Sequence, residues 1–152
     1  MLTHHSAATP PTYTLRNDKG KVQKTLQDNA ARKQKIDGMN LAKIEFFQFQ
    51  TQDGVDLNGI MVKPADFDAN KKYPVILYQY SGPGSQQVLD SWYAGNCSAA
   101  LLERYMAQEG FVSVIVDGRG TGGRGAEFEK QTYMKLGQLE SHDQVETAIY
   151  LS

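Results

Sequence analysis

The sequence predicts an α/β chain: a short all-β stretch, then an antiparallel hairpin that leads into a parallel strand-helix-strand unit. Three observations carry that reading. The apolar runs 73–80 (YPVILYQY) and 111–117 (FVSVIVD) each read as a buried strand, and the first ends abruptly in the tight loop Ser81-Gly82-Pro83-Gly84. Between them, residues from about 97 to 108 place Ala100, Leu101, Leu102, Tyr105 and Met106 at helical spacing, with Gly110 as the stop. Upstream, 43–50 partly alternates, Gln52-Asp53-Gly54 turns, and 55–62 alternates clearly up to Lys63-Pro64, which describes a hairpin with one buried face. Parallel strands joined through a helix need a crossover, and right-handed crossovers dominate.

The remaining elements follow in chain order. Residues 1–11 are rich in Ser, Ala, Thr and Pro without periodicity, so an extended leading segment is expected there, with His4 and His5 in it. Residues 13–16 and 21–26 flank the polar turn Asn17-Asp18-Lys19-Gly20 as a second hairpin, which alone would be marginal in water and so belongs to a larger sheet. Asp28 or Asn29 can cap a short polar helix through Ile36 that Gly38 ends, a linker between units. After 111–117 comes the loop Gly118-Arg119-Gly120-Thr121-Gly122-Gly123-Arg124-Gly125, then a helical stretch over 127–136. A last helix runs from about Ser141, where Ser141 and Gln144 form a capping box and Val145, Ala148 and Ile149 share a face. The chain stops inside that pattern, which points to a fragment.

A length of 152 residues suits one domain, and 40% hydrophobic with 22% charged residues is ordinary for a globular protein. The net charge of −1 gives no electrostatic reason to expect nucleic acid or an anionic membrane as partner. No 18-residue apolar run and no signal-peptide pattern occurs, which leaves the compartment open. One cysteine, Cys97, excludes an internal disulfide and reads as a small buried apolar group. Asp66, Asp68 and Asn70 have the spacing of a calcium loop, but Lys71 and Leu77 stand where glycine and glutamate are needed, so the segment reads as a polar loop.

Two stretches bear on chemistry. Tyr80 ends the 73–80 strand, and ligands of open α/β sheets bind beyond the carboxyl ends of strands; Tyr80 either touches a ligand there or caps a core strand. The stretch 118–123 satisfies G-x-G-x-x-G directly after a strand, so a nucleotide or phosphate site over Gly118–Gly125 is the leading alternative from another class. Asp117 would oppose a pyrophosphate, no acid-terminated strand follows about 20 residues on, and Arg124 stands where a Walker loop has lysine. A flexible loop that lets the backbone pass close to a neighbour is the preferred reading of the glycines over a dinucleotide site. No serine lies in G-x-S-x-G, and 95–99 only faintly resembles a cysteine version. None of His4, His5 and His142 reads as a catalytic base or metal ligand, so no nucleophile, base, metal or cofactor is assigned to the chain.

Taken together, 73–86, then Val116-Asp117-Gly118-Arg119-Gly120-Thr121-Gly122, then Leu136-Gly137, Glu140 and Asp143-Gln144 resemble the prolyl oligopeptidase family of serine peptidases, in its dipeptidyl peptidase IV branch. The resemblance implies that residues 1–40 are the end of a β-propeller and its linker. It implies that 41–152 are the N-terminal half of an α/β-hydrolase domain, from an enzyme that cleaves peptides after proline and releases N-terminal dipeptides. Tyr80 falls on the oxyanion-hole tyrosine, and Asp117, Gly118, Arg119 and Gly120 on an active-site loop. The family's serine, aspartate and histidine lie beyond residue 152, so the chain alone is expected to be inactive. Partners implied are the peptide substrate, the rest of the propeller and catalytic domain, and a second copy of the parent in a homodimer. A non-enzymatic interaction domain is the remaining alternative.

Overall fold

The alternating segments build two sheets in the computed structural model, which describes residues 1–95 and 100–152. The expected start of a helix near Cys97, the burial of Cys97 and the motif-like 95–99 stretch fall wholly or partly outside the described residues. The chain is a mixed α/β structure. In the larger sheet β4 (Ile44–Gln50) pairs antiparallel with β5 (Asp56–Val62), from Ile44 opposite Val62 to Gln50 opposite Asp56. The turn between them is locked by the Thr51 hydroxyl, which donates to Asp53 and accepts the Val55 N–H. β5 pairs antiparallel with β7 (Val112–Asp117), and β7 pairs parallel with β6 (Val75–Tyr78), giving the order β4-β5-β7-β6.

β5 carries apolar groups on both faces, where alternation predicts one buried face. Leu57 and Met61 join Phe49, Val114 and Phe128 on one side of the sheet, while Ile60 meets Ile115 and Ala94, and Val62 meets Ala107, on the other. The reason is that both faces are covered: α2 packs on β5 and β7 on the Val62 side, and Phe128 closes the Leu57 side. β7 is buried at all six positions and is the core of the sheet. β6, expected to be a buried strand over 73–80, is a four-residue edge strand with Val75 43% exposed, because among the described residues it pairs only with β7.

α2 (Leu101–Gln108) connects β6 to β7 and packs on β7 and β5, as the crossover predicts, but with the opposite face inward. Glu103, Arg104 and Ala107 are buried, whereas Leu101, Leu102 and Tyr105 are exposed. Small Ala107 lets the helix approach Val62 and Ala42, and that contact sets its rotation. α4 (Gln138–Leu151) is turned the same way: Glu140, Asp143, Glu146 and Thr147 are buried, and Val145, Ile149 and Tyr150 are exposed. It begins a turn earlier than the capping box at Ser141 predicts, because Glu140 accepts the Gly137 N–H at 2.9 Å and Gly137, at φ 88°, adopts a conformation that favours glycine. The helix expected over 127–136 shrinks to α3 (Ala126–Glu129) and a 3-10 turn, Lys130–Thr132.

The N-terminal sheet is a three-stranded meander of β1 (Leu2–Ser6), β2 (Thr9–Arg16) and β3 (Val22–Gln27). β1 makes part of the expected extended leading segment a paired strand: the chain reverses at residues 7–8, so Leu2 lies opposite Thr14 and supplies the third strand that the hairpin needs. Two contacts fasten it to the segment after β6, since Ala7 N–H donates to Asp90 at 2.8 Å and Trp92 N–H donates to His5 Nδ1 at 3.1 Å. α1 (Ala30–Asp37) follows with no buried residue, started by Asp28 accepting the Ala30 N–H at 3.1 Å. Asp68 likewise serves its own loop, accepting the Asn70 N–H at 3.0 Å.

Phe47 lies directly opposite Gly59, and a Cβ at 59 would come within 2.4 Å of its ring. That ring stacks on Tyr150 at 5.9 Å, so the missing side chain lets an aromatic close the strand pair onto α4. Gly59→Val should therefore lower stability by about 1 to 3 kcal/mol, the cost of overpacking, read as a lower urea midpoint; an unchanged midpoint would show that Phe47 moves aside freely.

Candidate functional site

β6 and β7 run parallel, so their carboxyl ends open side by side and the two following loops meet there. Asp117, the last residue of β7, is buried, and its carboxylate reaches into the other loop. It accepts the Gln87 N–H at 2.9 and 3.2 Å and the Val88 N–H at 2.9 Å. Burial pushes its carboxyl above the ordinary carboxylate range, against the two N–H groups that favour the charged form. Gly122 N–H donates to Ser85 O at 2.8 Å, and Ser85 in turn donates its hydroxyl to Gly82 O at 2.8 Å. Gly84 N–H adds a bond to Glu129 at 3.2 Å. The loop over 81–88 is thus stitched to the loop over 117–123 along its length.

The glycines of the second loop serve this packing. A Cβ at Gly118 would come within 3.0 Å of the Asp143 carboxylate, one at Gly120 within 2.6 Å of Thr132 Oγ1, and one at Gly123 within 2.6 Å of the Gln86 amide. Side chains of the same chain thus crowd three glycines of this loop. The helix that follows, α3, has four residues, too short for a helix-terminus anion site.

Arg119 is the hub behind this surface. Its Nε and Nη2 donate to Asp143 Oδ1 at 3.0 and 2.6 Å, its backbone N–H donates to Asp143 Oδ2 at 2.6 Å, and its Nη1 donates to Asp53 at 2.7 Å. Nη2 also lies 3.0 Å from His142 Nδ1, an acceptor only when that nitrogen carries no proton. Both members of the Arg119–Asp143 pair are buried. The bond to Asp143 holds the Arg119 proton more firmly than usual, while the Thr51 hydroxyl, then Arg119, keeps Asp53 below the ordinary carboxylate range. One guanidinium therefore ties the β4–β5 turn, the β7 loop and α4 together.

Tyr80 stands two residues beyond the end of β6 rather than on its last position, and it is 63% exposed at the mouth of these loops. Asp117, Gly118, Arg119 and Gly120 are all buried. Sequence reasoning names Tyr80 and the four loop residues but not their brace: Asp53, His142 and Asp143 converge on Arg119 from 66, 23 and 24 residues away, which no local spacing signals. A cavity of about 420 Å³ lies elsewhere, between the N-terminal segment, α1 and α2, where Ala7, Ile36, Ile44 and Arg104 line it. Among the described residues there is no cluster of metal-ligating side chains, and no helix is long and apolar enough to cross a membrane.

Residues 99–152 match the family model described as the prolyl oligopeptidase family, and the chain belongs to that family. The relatives it resembles are dipeptidyl peptidases. It is 44% identical to the crystal structure of Porphyromonas gingivalis dipeptidyl peptidase 4, with a TM-score of 0.88 over 97% of this chain and 20% of that one. A putative dipeptidyl aminopeptidase IV from Bacteroides ovatus gives 32% identity and a TM-score of 0.80, again over 97% of this chain and 20% of that one. The probable dipeptidyl peptidase 4 of Emericella nidulans is 38% identical over 125 residues, which is 82% of this chain and 16% of that protein. The chain thus spans about a sixth to a fifth of the length of these proteins.

Removing one partner of a buried pair leaves an uncompensated charge, so Asp143→Ala should cost about 3 to 5 kcal/mol. Arg119→Lys should keep little of that fork's stability. Urea unfolding of the full-length protein measures both, and a loss under about 0.5 kcal/mol, the range of ordinary surface substitutions, would remove Arg119 from the role of hub.

Proposed function

We propose that this chain is a section of a longer serine peptidase that cleaves after proline and releases N-terminal dipeptides. In this reading residues 1–40 complete a β-propeller and its linker, and 41–152 open the α/β-hydrolase domain. The single observation that carries it is Tyr80, exposed just past a parallel strand, on a loop fastened to the Asp117–Gly120 loop beneath it. The 44% identity to a dipeptidyl peptidase 4 along nearly all of the chain supports the same reading. The exposed faces of α2 and α4 are then surfaces that the rest of the hydrolase domain covers.

Tyr80 acts as a neutral donor. A phenol gives one hydrogen bond without bringing charge, and such a bond strengthens when the attacked carbonyl oxygen becomes an oxyanion. The serine, aspartate and histidine of the peptidase come from residues outside 1–152, because no serine here sits in a nucleophile elbow. The peptide is the substrate and no cofactor enters the chemistry.

Two measurements test this. In the full-length protein, Tyr80→Phe should lower kcat on a Gly-Pro-anilide by about 10²- to 10³-fold, the loss typical of one oxyanion donor, with KM and Tm nearly unchanged. Near-normal kcat with a lowered Tm would make Tyr80 a packing residue. The 152-residue chain alone should neither hydrolyse that substrate nor take up a fluorophosphonate probe, and stoichiometric labelling would overturn the reading.

A further inference from the structure

The loop that carries Tyr80 toward solvent is held on its far side, by Glu129 at Gly84, by Gly122 N–H at Ser85 and by Asp117 at Gln87 and Val88. Beyond β6 it leaves the sheet, and Tyr80 itself is exposed. Its far end at residues 87 and 88 is fixed by one side chain, Asp117, which stands on the fully buried strand β7. Two carboxylate oxygens meet two successive backbone N–H groups, an arrangement that sets both position and direction. From there the order passes back along the loop: Ser85 O is held by Gly122 N–H, and Gly82 O accepts both the N–H and the hydroxyl of Ser85, at 3.1 and 2.8 Å. Gly82 is two residues from Tyr80.

We propose that Asp117 is a positioning residue for Tyr80: its carboxylate, by gripping the Gln87 and Val88 N–H groups, aims the tyrosine at the oxygen on which charge develops. This rests on the role of Tyr80 given above. Asp117 touches no substrate in this account, and its partners are both backbone groups of the chain itself. Any acceptor of one bond could tether the loop, but only two acceptors side by side fix both N–H groups at once. A carboxylate is the side chain that offers them at that size.

The experiment is a double-mutant cycle in the full-length protein with Tyr80→Phe and Asp117→Asn, read as kcat and KM on a Gly-Pro-anilide. The asparagine keeps the shape but offers one acceptor oxygen in place of two. A displacement of about 1 Å at a catalytic group can cost on the order of 10²-fold, so Asp117→Asn should lower kcat by up to that factor with KM within about twofold. A group acting only through Tyr80 has nothing left to position once the hydroxyl is gone, so the double variant should be no slower than Tyr80→Phe. Fluorophosphonate labelling should stay stoichiometric in all three variants, showing that the nucleophile is intact. Multiplicative losses, or a normal kcat in Asp117→Asn beside a slow Tyr80→Phe, would overturn the positioning role and leave the peptidase reading standing. A normal kcat in Tyr80→Phe would instead overturn the peptidase role of the tyrosine, and the inference with it. Where Asp117→Asn does not accumulate as folded protein, Asp117→Glu, which keeps the charge and shifts the acceptors, takes its place with the same outcomes.

Discussion

A buried guanidinium is the constraint on which much of this structure depends. Arg119 follows the core strand directly, and once β7 is buried the side chain must find counter-charges inside the protein, because an unpaired charge there is prohibitively unfavourable. Asp143 supplies them from the buried side of α4, and Asp53 from the β4–β5 turn. The rotation of α4 follows from that demand. A helix that must point Asp143 inward presents Val145 and Ile149 elsewhere, as is observed.

Two helices look reversed when judged by hydropathy alone, each for its own reason. In α2 a small alanine decides which side meets the sheet, and in α4 an acid does, while the larger apolar groups face outward. The exposed apolar side chains form two separate patches, because α2 packs on the Val62 face of the larger sheet and α4 on the Phe49 face.

The parts legible in the sequence are those governed by local pattern. The 43–62 hairpin, the parallel pairing of the strands after Pro74 and Phe111, and the helix between them follow from periodicity and turn residues. Less legible is whatever depends on distant partners. The strand at Leu2–Ser6 has no alternation to announce it and exists because residues 9–14 lie beside it. The start of α4 at Gly137 rather than near Ser141 turns on one glutamate reaching back to one backbone N–H. At the candidate site the loop residues are conspicuous for their glycines, whereas the ion pair that braces them joins positions 24 residues apart.

The order β4-β5-β7-β6 has a consequence for how the sheet is assembled. Strands adjacent in sequence are usually neighbours in space, yet β5 and β6 here never touch as a pair; the later strand β7 is inserted between them. Among the described residues β6 pairs with β7 alone, and β5 pairs with β4 and β7. Closing a loop of that length adds little to the equilibrium cost, since the entropy grows only logarithmically. It matters for connectivity: among the strands described, the most buried one, β7, is the one that joins the β4–β5 hairpin to β6. A nascent or cleaved chain ending before β7 would leave one edge of β5 open and β6 without the partner it has here.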